Sequence, residues 1–256
     1  MLAPFSTPGV RLLPQRSTVV LLSGLLSDED VWRGPTARLA QSHDVVCPGF
    51  LDHGSIEAMA RDVLARAPER FSLAGHSMGG RVALEIAARA PERLERLALL
   101  NTGFRPARPG EAEGRSRLIR LALEEGMGAL ARHWLPPMLA PHRVRDEALM
   151  GRLTAMIERA TPRLFQRQIG ALLTRPNAHR GLSAIPCPTA VIVGRQDAWS
   201  PLAQHEEMAA LIPRSYLSVI EDCGHMSPAE QPEAVAEALG AWMQVAPAEK
   251  ILAPAS

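Results

Sequence analysis

Residues 71–90, FSLAGHSMGGRVALEIAARA, place a serine between two glycines: Gly75, His76, Ser77, Met78, Gly79. A short apolar run precedes Ser77 and apolar residues at helical spacing follow it, so the serine is expected at a strand-to-helix turn. Such a turn needs small neighbours, because the backbone must close beneath a side chain that projects above it; Gly75 and Gly79 supply them. The following helix aims its first amides at the place where negative charge develops on an attacked carbonyl. The chemistry that suits this arrangement is nucleophilic attack on a carbonyl carbon by Ser77.

A serine hydroxyl is a weak nucleophile near neutral pH and needs a base within reach, with an anion to fix that base's tautomer. The run TAVIVG (189–194) leads into GRQDAWSP, which sets Asp197 in a loop, and SYLSVIE (215–221) leads into DCGHMSP, which sets His225 in the next. Asp197 has capping a helix as its alternative role. Glu221 and Asp222 are alternative partners for His225, whereas Asn101-Thr102, at the end of an earlier run, offers no carboxylate and so favours Asp197. His76 is expected to point away from the serine, and the other histidines have no comparable placement. The oxyanion of a tetrahedral intermediate needs two amide donors. Met78 is one, and Leu25, after Gly24 in the loop LLSGLLSDEDVW, is the other, with a bare Ser23-Gly24 turn as the competing reading.

The elements that must position these residues are short apolar runs: STVVLLS (17–23), HDVVC (43–47), FSLA (71–74), RLALLN (96–101), TAVIVG and SYLSVIE. Each is separated from the next by helical or mixed sequence, the alternation of an α/β fold with a parallel sheet whose strands are buried on both faces. SIEAMARDVLARA opens on Ser55 with Glu57 in its first turn, and RVALEIAARA stops before Pro91. SPAEQPEAVAEALGAWM reads as one helix opening on a capping box of Ser227 and Glu230, with Pro228 in the first turn. The tail after Val245 is expected to fray. From Phe104 to about Leu182 no convincing strand occurs, only helical stretches such as SRLIRLALEEG, DEALMGRLTAMIERA and LFQRQIGALL. The expected division is therefore 1–103 with 183–256 as the α/β core, and 104–182 as a helical insertion.

The segments SGLLSDEDVW, GHSMGG, GRQDAWSP and CGHMSP, in that order, resemble those of the α/β-hydrolase superfamily. The resemblance implies a mostly parallel central sheet flanked by helices, a helical cap over 104–182, acyl-transfer chemistry, and no metal or organic cofactor. One departure is Ser23, where many members carry histidine before the glycine of the oxyanion loop. Serine at the elbow separates the chain from haloalkane dehalogenases and most epoxide hydrolases, which use aspartate there. The leading expectation is a serine hydrolase of small or medium carboxylic esters or lactones. Carbon–carbon bond hydrolases, a menaquinone-pathway-type synthase acting on a carboxylate-bearing substrate, and cofactor-free haloperoxidases carry similar elbows. A hydrolase-fold receptor with little turnover is the alternative outside enzymes.

Composition bounds these readings. With 256 residues, 46% hydrophobic and 21% charged, the chain has the balance of a globular protein. A net charge of +1, its basic part 27 arginines and the single Lys250, leaves no whole-chain footprint for nucleic acid. The charge is uneven: between Arg105 and Leu182 stand 14 arginines and 7 carboxylates, a net of +7, which leaves −6 for the remainder. That surplus fits either a solvated arginine-rich surface or recognition of a substrate carboxylate. Cys47, Cys187 and Cys223 are odd in number and form no CxxC, so neither a disulfide framework nor a zinc site is expected. No uncharged apolar run approaches 18 residues, and MLAPFSTPGVRLLPQR does not read as a secretory signal. A cytoplasmic protein acting on a small carbonyl substrate is expected, with no membrane or nucleic-acid partner and no oligomeric state specified. Trp134, Phe104, Phe165 and Trp199 are expected to line its pocket.

Overall fold

A computed structural model describes residues 16–50 and 53–248. The elements in chain order are β1 (Thr18–Leu22), α1 (Arg33–Leu39), β2 (Asp44–Val46), α2 (Ile56–Arg66), β3 (Phe71–His76), α3 (Met78–Arg89) and β4 (Leu94–Leu100). There follow α4 (Glu111–Trp134), α5 (Glu147–Glu158), α6 (Pro162–Leu173), β5 (Thr189–Gly194), α7 (Leu202–Leu211), β6 (Ser215–Ile220), α8 (Ser227–Glu230) and α9 (Pro232–Gln244). The six strands form one sheet in the order β2-β1-β3-β4-β5-β6, and every pairing is parallel. The fold is α/β, a parallel sheet flanked by helices. Helices α1 and α9 pack together, α2 packs on α3, and α7 covers β5 and β6.

All six apolar runs form strands, and burial separates the inner ones from the edges. Every residue of β3 and β5 is buried, as two-sided packing demands. The edge strands depart from that expectation: Asp44 and Val46 of β2 are exposed, and most of β6 is only half-buried. An edge strand has a neighbour on one side only, so its outer margin is left open.

Between β4 and β5, among the described residues, there are helices and 3-10 turns but no strand. Ser55, Asp146 and Thr161 cap α2, α5 and α6 through side-chain oxygens that accept from Ala58, Leu149 and Leu164 amides. Helix α4 packs against both α5 and α6 and breaks at Gly126, whose φ of 86° and ψ of 173° lie outside helical space. Arg175, just beyond α6, holds the start of α4 by donating to both carboxylate oxygens of Glu111 at 2.9 and 2.8 Å.

Three local expectations need correction. The segment opening at Ser227 is two helices, not one, because Pro232 removes an amide and Gln231 adopts φ −133°, ψ 62°. Nor is Ser227 a cap: it lies within α8 and its hydroxyl donates to Asn101 Oδ1. The tail is also held beyond Val245, since Ala248 N donates to Glu95 O at 2.9 Å and Ala248 O accepts from Arg70. The rest of that tail, and the N-terminal stretch read as lacking a secretory signal, lie outside the described residues.

Candidate active site

Because the strands run parallel, β1, β3, β4, β5 and β6 release the chain at one edge of the sheet. The residues just beyond their ends, Leu25, Ser77, Asn101, Asp197 and His225, therefore gather there. Ser77 has φ 53° and ψ −114°, a strained conformation for a non-glycine residue. Its neighbours make that turn possible. A Cβ on Gly75 would lie 2.4 Å from Gly79 O, and one on Gly79 would lie 2.2 Å from Leu22 O.

His225 Nε2 stands 2.9 Å from Ser77 Oγ, and its Nδ1 stands 2.9 Å from Asp197 Oδ2. Asp197 does not cap α7, whose N-cap is Pro201. It accepts instead from the Trp199 and Ser200 amides at 2.9 and 2.8 Å and from Asn101 Nδ2 at 2.8 Å. Glu221 is occupied elsewhere, paired with Arg195 through two bonds of 2.6 Å. Burial raises the Asp197 carboxyl, but the charge of His225 and the bonds from His225, Ser200 and Asn101 outweigh it and hold it at about 2. His76 is different: burial and the charge of His225 push it down to about 3. Its Nε2 donates to His225 O at 2.8 Å, which directs the ring away from Ser77 and buttresses the His225 loop.

The Met78 amide opens α3, and the Leu25 amide follows the turn at Gly24; among the described residues neither has an acceptor. The next amide, Leu26, has φ 56° and donates to Gln168 Oε1 of α6 at 2.9 Å. Ser23, the departure noted above, donates to Asp28 O at 3.0 Å.

A cavity of about 880 Å³ opens beside Ser77 and His225, with Trp199, Leu118, Leu121 and Leu172 among its walls. A recess of about 30 Å³ adjoins it, bounded by Leu25, Ser77, Trp134 and Trp199. Trp134 and Trp199 thus face the site, their rings T-shaped at 6.2 Å. Phe104 and Phe165 line neither space and correct the expectation for them: both are wholly buried. Phe104 sits against His179 and Phe165 backs Trp134 at 6.2 Å, so each packs behind the wall instead of forming it.

Two contributors escaped the sequence reading. Asn101, noted there only as lacking a carboxylate, bonds to Asp197 and to Gly224 O. Its signal was its place at a strand end beside Thr102. Glu230, taken for a capping residue, is buried and accepts from the amides of Gly224 and Met226, which flank His225, and from Ala140 in the helical segment. Met138 O accepts from His225 N at 2.6 Å, so the same two loops are joined twice.

The profile of an alpha/beta hydrolase family matches residues 19–238. The chain is 27% identical over 227 residues to a pimeloyl-[acyl-carrier protein] methyl ester esterase of Nitrosomonas europaea, covering 81% of this chain and 88% of the relative. It is similar to a thermophilic esterase from Thermogutta terrifontis solved with malate bound, at 32% identity and a TM-score of 0.81, covering 89% of each chain. The enol-lactonase from Burkholderia xenovorans LB400 superposes with a TM-score of 0.81 at 26% identity, covering 90% of this chain and 92% of the lactonase. With a parallel sheet, a strained serine after β3 and a match spanning nearly all the described residues, the chain belongs to the alpha/beta hydrolase family and is a hydrolase.

Proposed function

We propose that the chain is a serine hydrolase of carboxylic esters or lactones, with Ser77 as nucleophile, His225 as general base and acid, and Asp197 as the group that orients His225. The observation that carries this reading is the continuous hydrogen-bonded line from Ser77 Oγ through both ring nitrogens of His225 to Asp197. Ser77 Oγ attacks the ester carbonyl as His225 Nε2 takes its proton; the carbonyl π electrons move to oxygen, and the Leu25 and Met78 amides receive that charge. Collapse of the intermediate breaks the bond to the alcohol oxygen, which takes the proton from His225. Water then attacks the acyl-enzyme by the same route, releasing the acid and restoring Ser77. Helices α4–α6 serve as the cap, with Trp134 and Trp199 against the acyl group. The names of the relatives, two esterases and an enol-lactonase, support ester-type bonds as the target.

The test is a series of p-nitrophenyl esters of increasing acyl length, run beside Ser77→Ala and a fluorophosphonate label. We expect labelling at Ser77, rapid turnover of short esters, and a fall in kcat of roughly 10⁴- to 10⁶-fold in Ser77→Ala. Retained activity in that variant overturns the mechanism. Labelling without ester turnover moves the reading to carbon–carbon bond hydrolysis or ligand reception.

A further inference from the structure

The cavity beside Ser77 is lined by six arginines, Arg81, Arg105, Arg108, Arg115, Arg117 and Arg175, and by one carboxylate, Glu111. Three of the six are occupied. Arg105 pairs with Glu207 at 2.5 Å and Arg117 with Glu113 at 2.8 Å. Arg175 takes both oxygens of Glu111 and three backbone carbonyls.

The other three keep donors to spare. Arg81, four residues after the nucleophile on α3, donates to Arg105 O at 2.9 Å and has no carboxylate partner among the described residues. Arg108 is exposed at the rim, and its side chain has no partner among the described residues. Arg115 reaches Glu111 only at 3.3 Å, on an oxygen already bonded to Arg175. Its guanidinium lies 5.8 Å over the ring of Trp199, and it lines the small recess at Ser77 and Leu25 as well as the large cavity. Arg81 is half-buried, and its partial removal from water together with the neighbouring Arg175, Arg115 and Arg108 pushes its guanidinium down to about 9, against the opposing charge of Glu111. Holding a half-buried guanidinium among other cations with no ion-pair partner of its own is costly, and a site built for a neutral ligand gains nothing from it.

We propose that the substrate carries an oxyanion, a carboxylate in the simplest case, which docks on Arg81, Arg108 and Arg115 while its scissile carbonyl lies at Ser77. A planar carboxylate accepts two parallel bonds from one guanidinium, and three arginines with free donors offer it that geometry. The assignment rests on Ser77 being the nucleophile and extends it to a substrate class, esters of dicarboxylic acids or of acid-bearing alcohols.

The experiment compares two p-nitrophenyl esters of equal acyl length, the neutral pentanoate and the anionic hemiglutarate. The expected ratio of kcat/KM favours the hemiglutarate by roughly tenfold or more. Arg81→Gln and Arg115→Gln collapse that ratio, whereas Arg120→Gln, on the exposed side of α4, leaves it unchanged. A ratio at or below one, or one that survives both substitutions, overturns the proposal. Binding of glutarate to Ser77→Ala by calorimetry, lost in the Arg81→Gln double variant, tests the arginines without turnover. Glutarate binding together with absent fluorophosphonate labelling thus sinks the nucleophile and spares the anion site. Inorganic phosphate in the same titration separates the sources: binding tighter than glutarate makes the oxyanion a phosphate, and binding of neither overturns the site.

Discussion

Four donors converge on Asp197, from Asn101, Trp199, Ser200 and His225, and together they outweigh the cost of burying its charge. Its carboxyl lies at about 2 in the folded chain, against about 3.9 for an unfolded aspartate. Between those values the unfolded state binds more protons, so stability rises with pH there. The stabilisation from Asp197 is complete above the unfolded value and is lost as pH falls through about 2. Asp197→Asn should therefore be less stable than wild type at neutral pH, with the gap closing on acidification below about pH 4. Denaturant unfolding at stepped pH checks this, and a gap that stays constant contradicts it. Ser77, Asp197 and His225 were legible in the sequence because each follows an apolar run and their order matches a known chemistry. Asn101 and Glu230 were not, because each acts through contacts about 100 residues away in sequence, Asn101 with Asp197 and Glu230 with Ala140.

At the scale of elements, the six strands and the start of α2 at Ser55 could be read from periodicity and a cap residue, whereas the caps of α5 and α6 and the breaks set by backbone geometry were not. Gly126 shows why: a helical run ending in glycine does not reveal that a second helix resumes directly after it. A Cβ at Gly126 would meet nothing within 4 Å, so its substitution tests conformation alone. Gly126→Ala should destabilise the fold by about 1–3 kcal/mol through its φ of 86°. Gly151 is the matched control, exposed in the interior of α5 with open space and no positive φ. Gly151→Ala should stabilise by about 0.5–1 kcal/mol. Equal effects of the two in a urea melt would remove backbone geometry as the cause. The merged reading of α8 and α9 failed likewise, since Pro at a first turn and Pro as a breaker look alike in sequence until Gln231 is seen out of helical space.

For the molecule as a whole, the near-neutral total conceals a basic helical segment on a more acidic remainder. The surplus was legible as a count, but its concentration around the cavity was not, since Arg81 belongs to α3 and joins the segment's arginines only in three dimensions. Raising ionic strength from about 0.01 to 0.15 M shortens the screening length from about 30 to 8 Å. This should depress kcat/KM for the hemiglutarate and leave the pentanoate nearly unchanged; parallel loss for both would assign the effect to the fold. The buried carboxylate of Glu230 has a consequence for traffic. Since it binds Ala140 on one side and the residues flanking His225 on the other, lifting the segment at that end would carry His225 away from Ser77. The start of the stretch leading into α4 is tied down as well, its Arg105 and Pro106 carbonyls accepting from Arg81 and Arg175, which leaves the exposed residues 108–110 as the freer margin. Amide exchange should register that asymmetry, with Ala140 and Gly224 opening together and slowly, and residues around Arg108 and Gly110 opening first.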